Sequence, residues 1–194
     1  MDRSRTMTKK TTTGTRLRGR AITALVAAAS AVAVTAVPAA AQEAPRVCVS
    51  DDFKIIENDR RAAAGTAYVE FAMMRIGGEG EADAPRREPC SLYRELDVYW
   101  VDQQDRRVGA WAVYDGEPGE PFVLGPEETA VLTVAQPGAA NYDPQVCEPT
   151  RVRGLQVGFD LGDGGVHAPT GGRDTVCANP EVGVPRYRVE PHGY

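Results

Sequence analysis

Histidine is almost missing from this chain of 194 residues: only His167 and His192 occur. Histidine is the one side chain whose ordinary pKa places its charge change near neutral pH. His192 sits close to the C-terminus, where chains fray, and His167 follows the turn signal Gly164-Gly165-Val166. There is no Gly-x-Ser-x-Gly motif, so a Ser-His-Asp hydrolase is not expected. No Cys-x-x-Cys pair occurs among Cys48, Cys90, Cys147 and Cys177, which argues against a zinc ribbon or a dithiol redox centre. Beyond Arg20 there is one lysine, Lys54. No internal repeat and no sustained helical period is present.

What is present begins with the N-terminus. Residues 1–20 carry Arg3, Arg5, Lys9, Lys10, Arg16, Arg18 and Arg20 against one acid, Asp2. An uncharged run, Ala21 to Val37, follows, and then Pro38-Ala39-Ala40-Ala41-Gln42. A basic region, an apolar region and a small-x-small site in this order read as a cleavable signal peptide over 1–41. The alternative is a retained anchor, but the run is at the short limit for spanning ~30 Å of hydrocarbon. No cysteine stands at the cut for lipid attachment, and Arg16-Leu17-Arg18 lacks the adjacent pair of a twin-arginine signal. The expectation is therefore a secreted protein, extracellular or associated with the cell wall, with no stable membrane insertion after cleavage.

The formal net charge of −5 includes that leader. Without residues 1–41, 15 basic and 26 acidic residues remain, a net charge of −11. Such a surface argues against nucleic acid as a partner. Residues 42–194 suit a single domain.

Short β-type runs separated by Gly, Pro and Asp clusters fill that domain. They are Phe53 to Ile56, Thr66 to Ile76, Ser91 to Tyr93, Leu96 to Val101, Val108 to Tyr114, Glu128 to Ala135, Arg151 to Leu161 and Val182 to Val189. Between them, Glu57 to Arg61 reads as a polar connection, 77–87 as an exposed loop, and Ala62-Ala63-Ala64 as the start of a short helix stopped by Gly65. The pattern predicts an all-β fold, an Ig-like antiparallel β-sandwich of roughly eight strands. An even number of cysteines behind an export signal predicts two disulfides. Spacing alone leaves all three pairings open.

The order of several short elements carries a resemblance. They are Cys48, Gly65, Pro89-Cys90-Ser91-Leu92, Leu96 to Asp102, Leu124-Gly125-Pro126-Glu127-Glu128-Thr129-Ala130, Cys147-Glu148-Pro149 and Val176-Cys177. In this series the chain resembles the actinobacterial exported family catalogued as domain of unknown function 4232. It departs from the family at Arg75-Ile76-Gly77-Gly78, where an Asn-Thr/Ser pair is common, and at Arg94-Glu95-Leu96, where Gly-x-Pro is usual. The resemblance implies a fold and a compartment, and no activity. It also implies the sequential bridges Cys48–Cys90 and Cys147–Cys177. Each would remove roughly 3.5–4 kcal/mol of loop entropy from the unfolded chain.

Several residues are candidates for chemistry. Period-two alternation puts Trp100 in the core with Leu96 and Val98, and Tyr99 on the opposite face. Tyr99 and Tyr114 are expected to form an exposed pair on adjacent strands, a candidate ligand surface for a sugar or peptide. The carboxylates Asp51-Asp52 and Asp160-x-x-Asp163 are the most compact pairs, and Asp160 to Gly165 with Asp174 offers oxygen ligands of the kind calcium takes. Solvated acids and a plain hairpin explain both without chemistry, so no catalytic residue, metal or cofactor is assigned. The loop Gln136 to Pro144, close to Cys147, is a candidate recognition loop. The resulting expectation is a secreted, non-enzymatic binding module for an unknown protein or glycan outside the cell. The alternatives are an inhibitor of a secreted enzyme presenting the 136–144 loop, and a carboxylate-dependent hydrolase using Asp160 and Asp163.

Overall fold

The computed structural model describes residues 44–76, 88–117, 119–159 and 164–193. All of them belong to the compact unit Gln42–Tyr194. The expected signal peptide, the 77–87 loop and Asp160 to Asp163 lie outside the described residues.

Fourteen strands occur among the described residues: β1 (Arg46–Val47), β2 (Phe53–Ala63), β3 (Thr66–Arg75), β4 (Cys90–Leu92), β5 (Asp97–Val101), β6 (Arg107–Val108), β7 (Val113–Tyr114), β8 (Phe122–Leu124), β9 (Thr129–Pro137), β10 (Pro149–Arg151), β11 (Gly154–Gly158), β12 (Val166–Pro169), β13 (Thr175–Cys177) and β14 (Arg186–Pro191). A single helical turn, α1 (Pro144–Cys147), precedes β10. Five strands form one sheet in the order β2-β3-β9-β14-β7, and four form another in the order β12-β11-β5-β6. Smaller sheets, β1-β4-β8 and β10-β13, close the ends. The chain is all-β with two disulfides. The strands are more numerous than the runs for two reasons: two runs divide, Val108 to Tyr114 into β6 and β7 and Arg151 to Leu161 into β10 and β11, each half in a different sheet, and the short strands β1, β8, β12 and β13 fall outside every run.

Alternation explains the core. On β3, Val69, Phe71 and Met73 point inward while Tyr68, Glu70, Ala72 and Met74 face out. β9 repeats this with Ala130, Leu132 and Val134. From the four-stranded sheet, Val98, Trp100, Leu155, Val157 and Ala168 join them in one continuous core. Phe53 stacks on Phe159 with ring centroids 4.7 Å apart. Burial at roughly 25 cal/mol per Å² of apolar surface drives this assembly.

Two buried polar links cross the interior. Trp100 Nε1 donates to Gln136 Oε1 at 2.6 Å, and Gln136 Nε2 donates to the carbonyls of Pro137 and Gly183. The Tyr187 hydroxyl accepts from Leu96 N and donates to Leu96 O, at 2.5 and 2.8 Å. Each hydroxyl, amide and indole involved has a partner, so the links add order without an unsatisfied group.

The polar stretch after Ile56 is strand, not connection. β2 continues through it as an edge strand, with a bulge between Glu57 and Asp59 that leaves Asn58 unpaired in the ladder. Ion pairing suits an edge: Arg60 bonds Glu57 and Asp174, and Arg173 bonds Glu57. The three alanines do not begin a helix. Ala63 pairs with Thr66 across a two-residue turn in which Ala64 (φ 48°) and Gly65 (φ 77°) are both left-handed. That is the type I′ hairpin geometry. Not every pair is antiparallel either. β7 runs parallel to β14, and β1 parallel to β4. β7 does so because its chain arrives from the other sheet rather than through a hairpin.

The turn supplies a test. Alanine in the left-handed region carries a steric cost that asparagine tolerates better. Ala64→Asn is expected to raise stability by about 0.5–1 kcal/mol, seen as a Tm a few degrees higher by calorimetry. An unchanged or lower Tm would contradict the turn geometry.

Candidate functional site

The cysteines are structural. Cys48 joins Cys90 and Cys147 joins Cys177, with Cα atoms 5.0 and 4.6 Å apart, the pairing implied by the family order. The first bridge ties the N-terminal segment to β4, and the second ties α1 to β13. Asp52 lies close enough to Cys48 and Cys90 to suggest a metal cluster, but both sulfurs are spent in the disulfide.

Asp52 belongs instead to a buried ion network. Arg46 reaches both of its oxygens, at 2.6 and 2.7 Å, Val49 N donates at 2.9 Å, and Arg75 lies 3.7 Å away. Arg75, at the end of β3, is itself buried and donates to the carbonyls of Leu124 and Glu88. Burial by itself would raise the Asp52 pKa. The hydrogen bonds from Arg46 and Val49 and the charges of Arg46 and Arg75 outweigh it and hold the carboxyl below its usual range. Asp51 is exposed beside it, so the Asp51-Asp52 pair does not converge on a cleft. This is the place of the Arg75 departure noted in the sequence: the arginine joins the β3 end to the segments that flank the first disulfide.

The two tyrosines proposed as a ligand surface do not meet. Tyr99 lies on the outer face of β5 and packs edge-on against Trp111, centroids 4.4 Å apart. Tyr114 lies on β7 of the other sheet and turns toward Tyr187, at 5.5 Å, with its hydroxyl donating to Glu117 O. The physical reason is Gly109. Its φ of 72° breaks the run after β6, and an added Cβ there would meet Cys177 O at 2.4 Å. Alternation counted across such a break loses its phase. After Gly109 the chain changes sheets: Ala112 N donates to Val98 O on β5, and Val113 N donates to Pro185 O next to β14.

This crossing segment leaves side chains exposed at the sandwich edge. Trp111 is 44% and Val113 54% exposed. The Arg107 guanidinium lies 4.8 Å from the Trp111 ring centroid. Tyr99, Trp111 and Arg107 thus form one aromatic and cationic cluster, with Val113 beside it in the chain.

A second surface lies on the outer face of the five-stranded sheet. Arg61, Tyr68, Ala135, Arg186 and Val113 are successive partners across its strands. Thr133 pairs with Arg188 and Val131 with Glu190 on the neighbouring rows. The small side chains on β9 floor a shallow groove of about 400 Å³ between the flanking arginines. Asp115 meets both Arg186 and Arg188 there. Neither arginine was among the candidate residues read from the sequence. The signal was available, since Arg186-Tyr187-Arg188 places two arginines on one face of a strand and a core tyrosine on the other.

The remaining candidates fall as follows. Both Asp174 oxygens accept from Arg60, so this carboxylate is already engaged. Asp160 and Asp163 lie outside the described residues. His167 is half-buried on β12, where burial and the charge of Arg153 lower its pKa. His192 pairs through its backbone with Thr129 O, on the other sheet. The expected 136–144 loop starts two residues later, because Gln136 and Pro137 end β9, and the rest is tied down: Gly138 N and Asn141 Nδ2 donate to Gly65 O, and Asp143 caps α1 by accepting from Gln145 N. Its outer residues, Ala140, Asn141, Asp143 and Pro144, remain exposed. Among the described residues no helix is long and apolar enough to cross a membrane.

These features define a disulfide-braced, all-β domain whose candidate surfaces among the described residues are open ones. A family model, Domain of unknown function (DUF4232), matches residues 81–193. The chain belongs to that family. The match takes in Cys90, Cys147 and Cys177 and begins after Cys48 and the β2–β3 hairpin. No curated protein and no solved structure matches the chain.

Two measurements test these assignments. Asp52→Asn removes one member of a buried pair and is expected to cost about 3 kcal/mol, read as a lower midpoint in urea; a change within error would deny the network a structural role. Burial, the main cause, pushes the Tyr187 phenol up to about 12. A raised folded pKa means that the stability is fully present below the unfolded value near 10 and is lost as pH rises through the folded one. Stability should therefore fall between about pH 10 and 12, and Tyr187→Phe should flatten that fall. Equal slopes in both proteins would sink the assignment.

Proposed function

We propose that this protein is a non-enzymatic binding module that works outside the cell and engages a protein or glycan partner through the Tyr99–Trp111–Arg107 edge. One observation carries the reading: Trp111 is held out at the sandwich edge on a crossing segment pinned to both sheets. Tryptophan, tyrosine and arginine dominate the energy of binding surfaces. Here they stand together on a rigid support, which lowers the entropy lost on binding. The two disulfides are consistent with an oxidising compartment. The acidic surface adds solubility and disfavours nucleic acid.

A second reading, an inhibitor of a secreted enzyme, draws support from the 136–144 loop. Its bonds to Gly65 and the nearby Cys147–Cys177 bridge hold exposed residues in one conformation, as a rigid inhibitory loop requires. The hydrolase reading rests on Asp160 and Asp163, which lie outside the described residues, and the other compact acid pair offers it no support because Asp52 is buried in ion pairs.

Cross-linking capture by the purified protein from envelope and culture-medium fractions tests the first reading. The captured species should be lost with Trp111→Ala, with at least a tenfold drop in affinity expected for a central anchor, while the melting curve stays unchanged. Capture equal to wild type, or confirmed turnover of a substrate, would overturn it. Inhibition in a panel of secreted proteases, abolished by Asn141→Ala, would favour the second reading instead.

A further inference from the structure

We propose that the groove on the outer face of the five-stranded sheet is a binding site for an extended acidic peptide, with Arg186 and Arg188 as its carboxylate clamp and Asp115 as an internal occupant of that clamp. This goes beyond the Trp111 surface and does not depend on it. Arg186 and Arg188 alternate with the buried Tyr187 on β14, so both guanidinium groups project from the same face. Their side chains are 66% and 59% exposed. Each takes a different oxygen of one carboxylate: Arg186 Nη1 lies 3.1 Å from Asp115 Oδ1, and Arg188 Nη2 lies 3.5 Å from Asp115 Oδ2. The pair is thus already spaced to hold a carboxylate, the anion for which the guanidinium fork is best shaped.

Asp115 is a replaceable occupant. Its side-chain contacts are exposed, and ion pairs of that kind contribute little. Its backbone is held apart from the carboxylate, by Asp115 N donating to Tyr187 O at 2.8 Å and by Arg188 Nε donating to Asp115 O. A ligand carboxylate can therefore displace the side chain without undoing β7. The groove's lining carries three cations, Arg61, Arg186 and Arg188, against two acids, Asp115 and Glu190, which leaves a local positive charge on a domain whose net charge beyond residue 41 is −11.

The groove sets the ligand's length. Arg61 stands at its far side, on β2, with β3 and β9 between it and β14. Three strand spacings are about 14 Å. Carboxylates four residues apart on an extended chain are separated by about 13 Å. One acidic residue can reach the Arg186–Arg188 clamp while a second meets Arg61. Among the described residues no carboxylate is bonded to Arg61. The residues between the two acids would lie over Tyr68, Thr133 and Ala135, which are small or flat and line the groove.

The test is fluorescence anisotropy at low salt with the purified protein and a labelled Glu-Gly-Gly-Gly-Glu peptide. Asp115→Asn should tighten binding about tenfold, because an internal competitor is removed. Glu181→Gln, which deletes an equal charge elsewhere, should leave it unchanged. Arg186→Gln and Arg188→Gln should each weaken it at least tenfold, with melting curves confirming the fold. Arg61→Gln should weaken this peptide but not one carrying a single glutamate. The proposal is overturned if the arginine variants bind as wild type, if Asp115→Asn does not tighten binding, or if Glu181→Gln tightens it equally. Inorganic phosphate that competes as well as the unlabelled peptide would likewise overturn it, assigning the clamp to simple anions.

Discussion

The two large sheets of this protein meet across an apolar interior that two hydrogen-bonded polar links cross. The apolar faces of β3, β9 and β14 on one side and β5 and β11 on the other supply the driving force. That force is non-directional, so it does not by itself choose how the sheets are aligned. Two buried hydrogen-bonded links make the choice: Trp100 to Gln136, and Tyr187 to both backbone groups of Leu96. A slip of either sheet would strand an indole, an amide or a phenol in a dry interior at a cost of about 1–3 kcal/mol for each group. The outward faces, and therefore every candidate binding surface, inherit their positions from that alignment.

The crossing segment after Gly109 links this constraint to function. It leaves β6, bonds to β5 through Ala112 and joins β14 through Val113. Because it serves both sheets, it cannot follow the pleat of either. Trp111 is left at the edge with one side against Tyr99, and Asp115 is carried to the two arginines of β14. Both surfaces proposed for binding thus arise from one change of sheet. The disulfides act elsewhere, at the ends, where the short strands β4 and β13 have little pairing of their own to hold them.

Much of the fold was legible in the residues. Val69, Phe71, Met73, Leu132 and Val134 alternate with outward residues, and they do form the core. Trp100 is buried as its phase required. The edge strand β2 was legible only in part, because Glu57 to Arg61 looks like a connection until Asp174 and Arg173 arrive to pair with it. The hairpin turn at Ala64-Gly65 was hidden because alanine is a poor marker for a left-handed residue. For the site, the tyrosine pair failed at Gly109, where local phase ends. The arginines of β14 were readable as a face, but the partner that gives them meaning, Asp115, comes from a distant part of the chain.

By itself the sequence determined the class: an all-β domain with two cross-links, acidic beyond residue 41, without the usual catalytic signatures. These follow from composition, cysteine count and period-two patterning, which are local and survive without any knowledge of neighbours. Tertiary structure alone decided which half of a run joins which sheet, which polar groups become buried links, and which charges share a carboxylate. Those outcomes depend on contacts between residues far apart in the chain, such as Arg60 with Asp174 or Tyr187 with Leu96, and no window of sequence contains both partners. The four cysteines lie between the two cases. Their number came from the sequence, their expected pairing from a family resemblance, and their actual bridges from the fold that brings their Cα atoms within 5.0 Å.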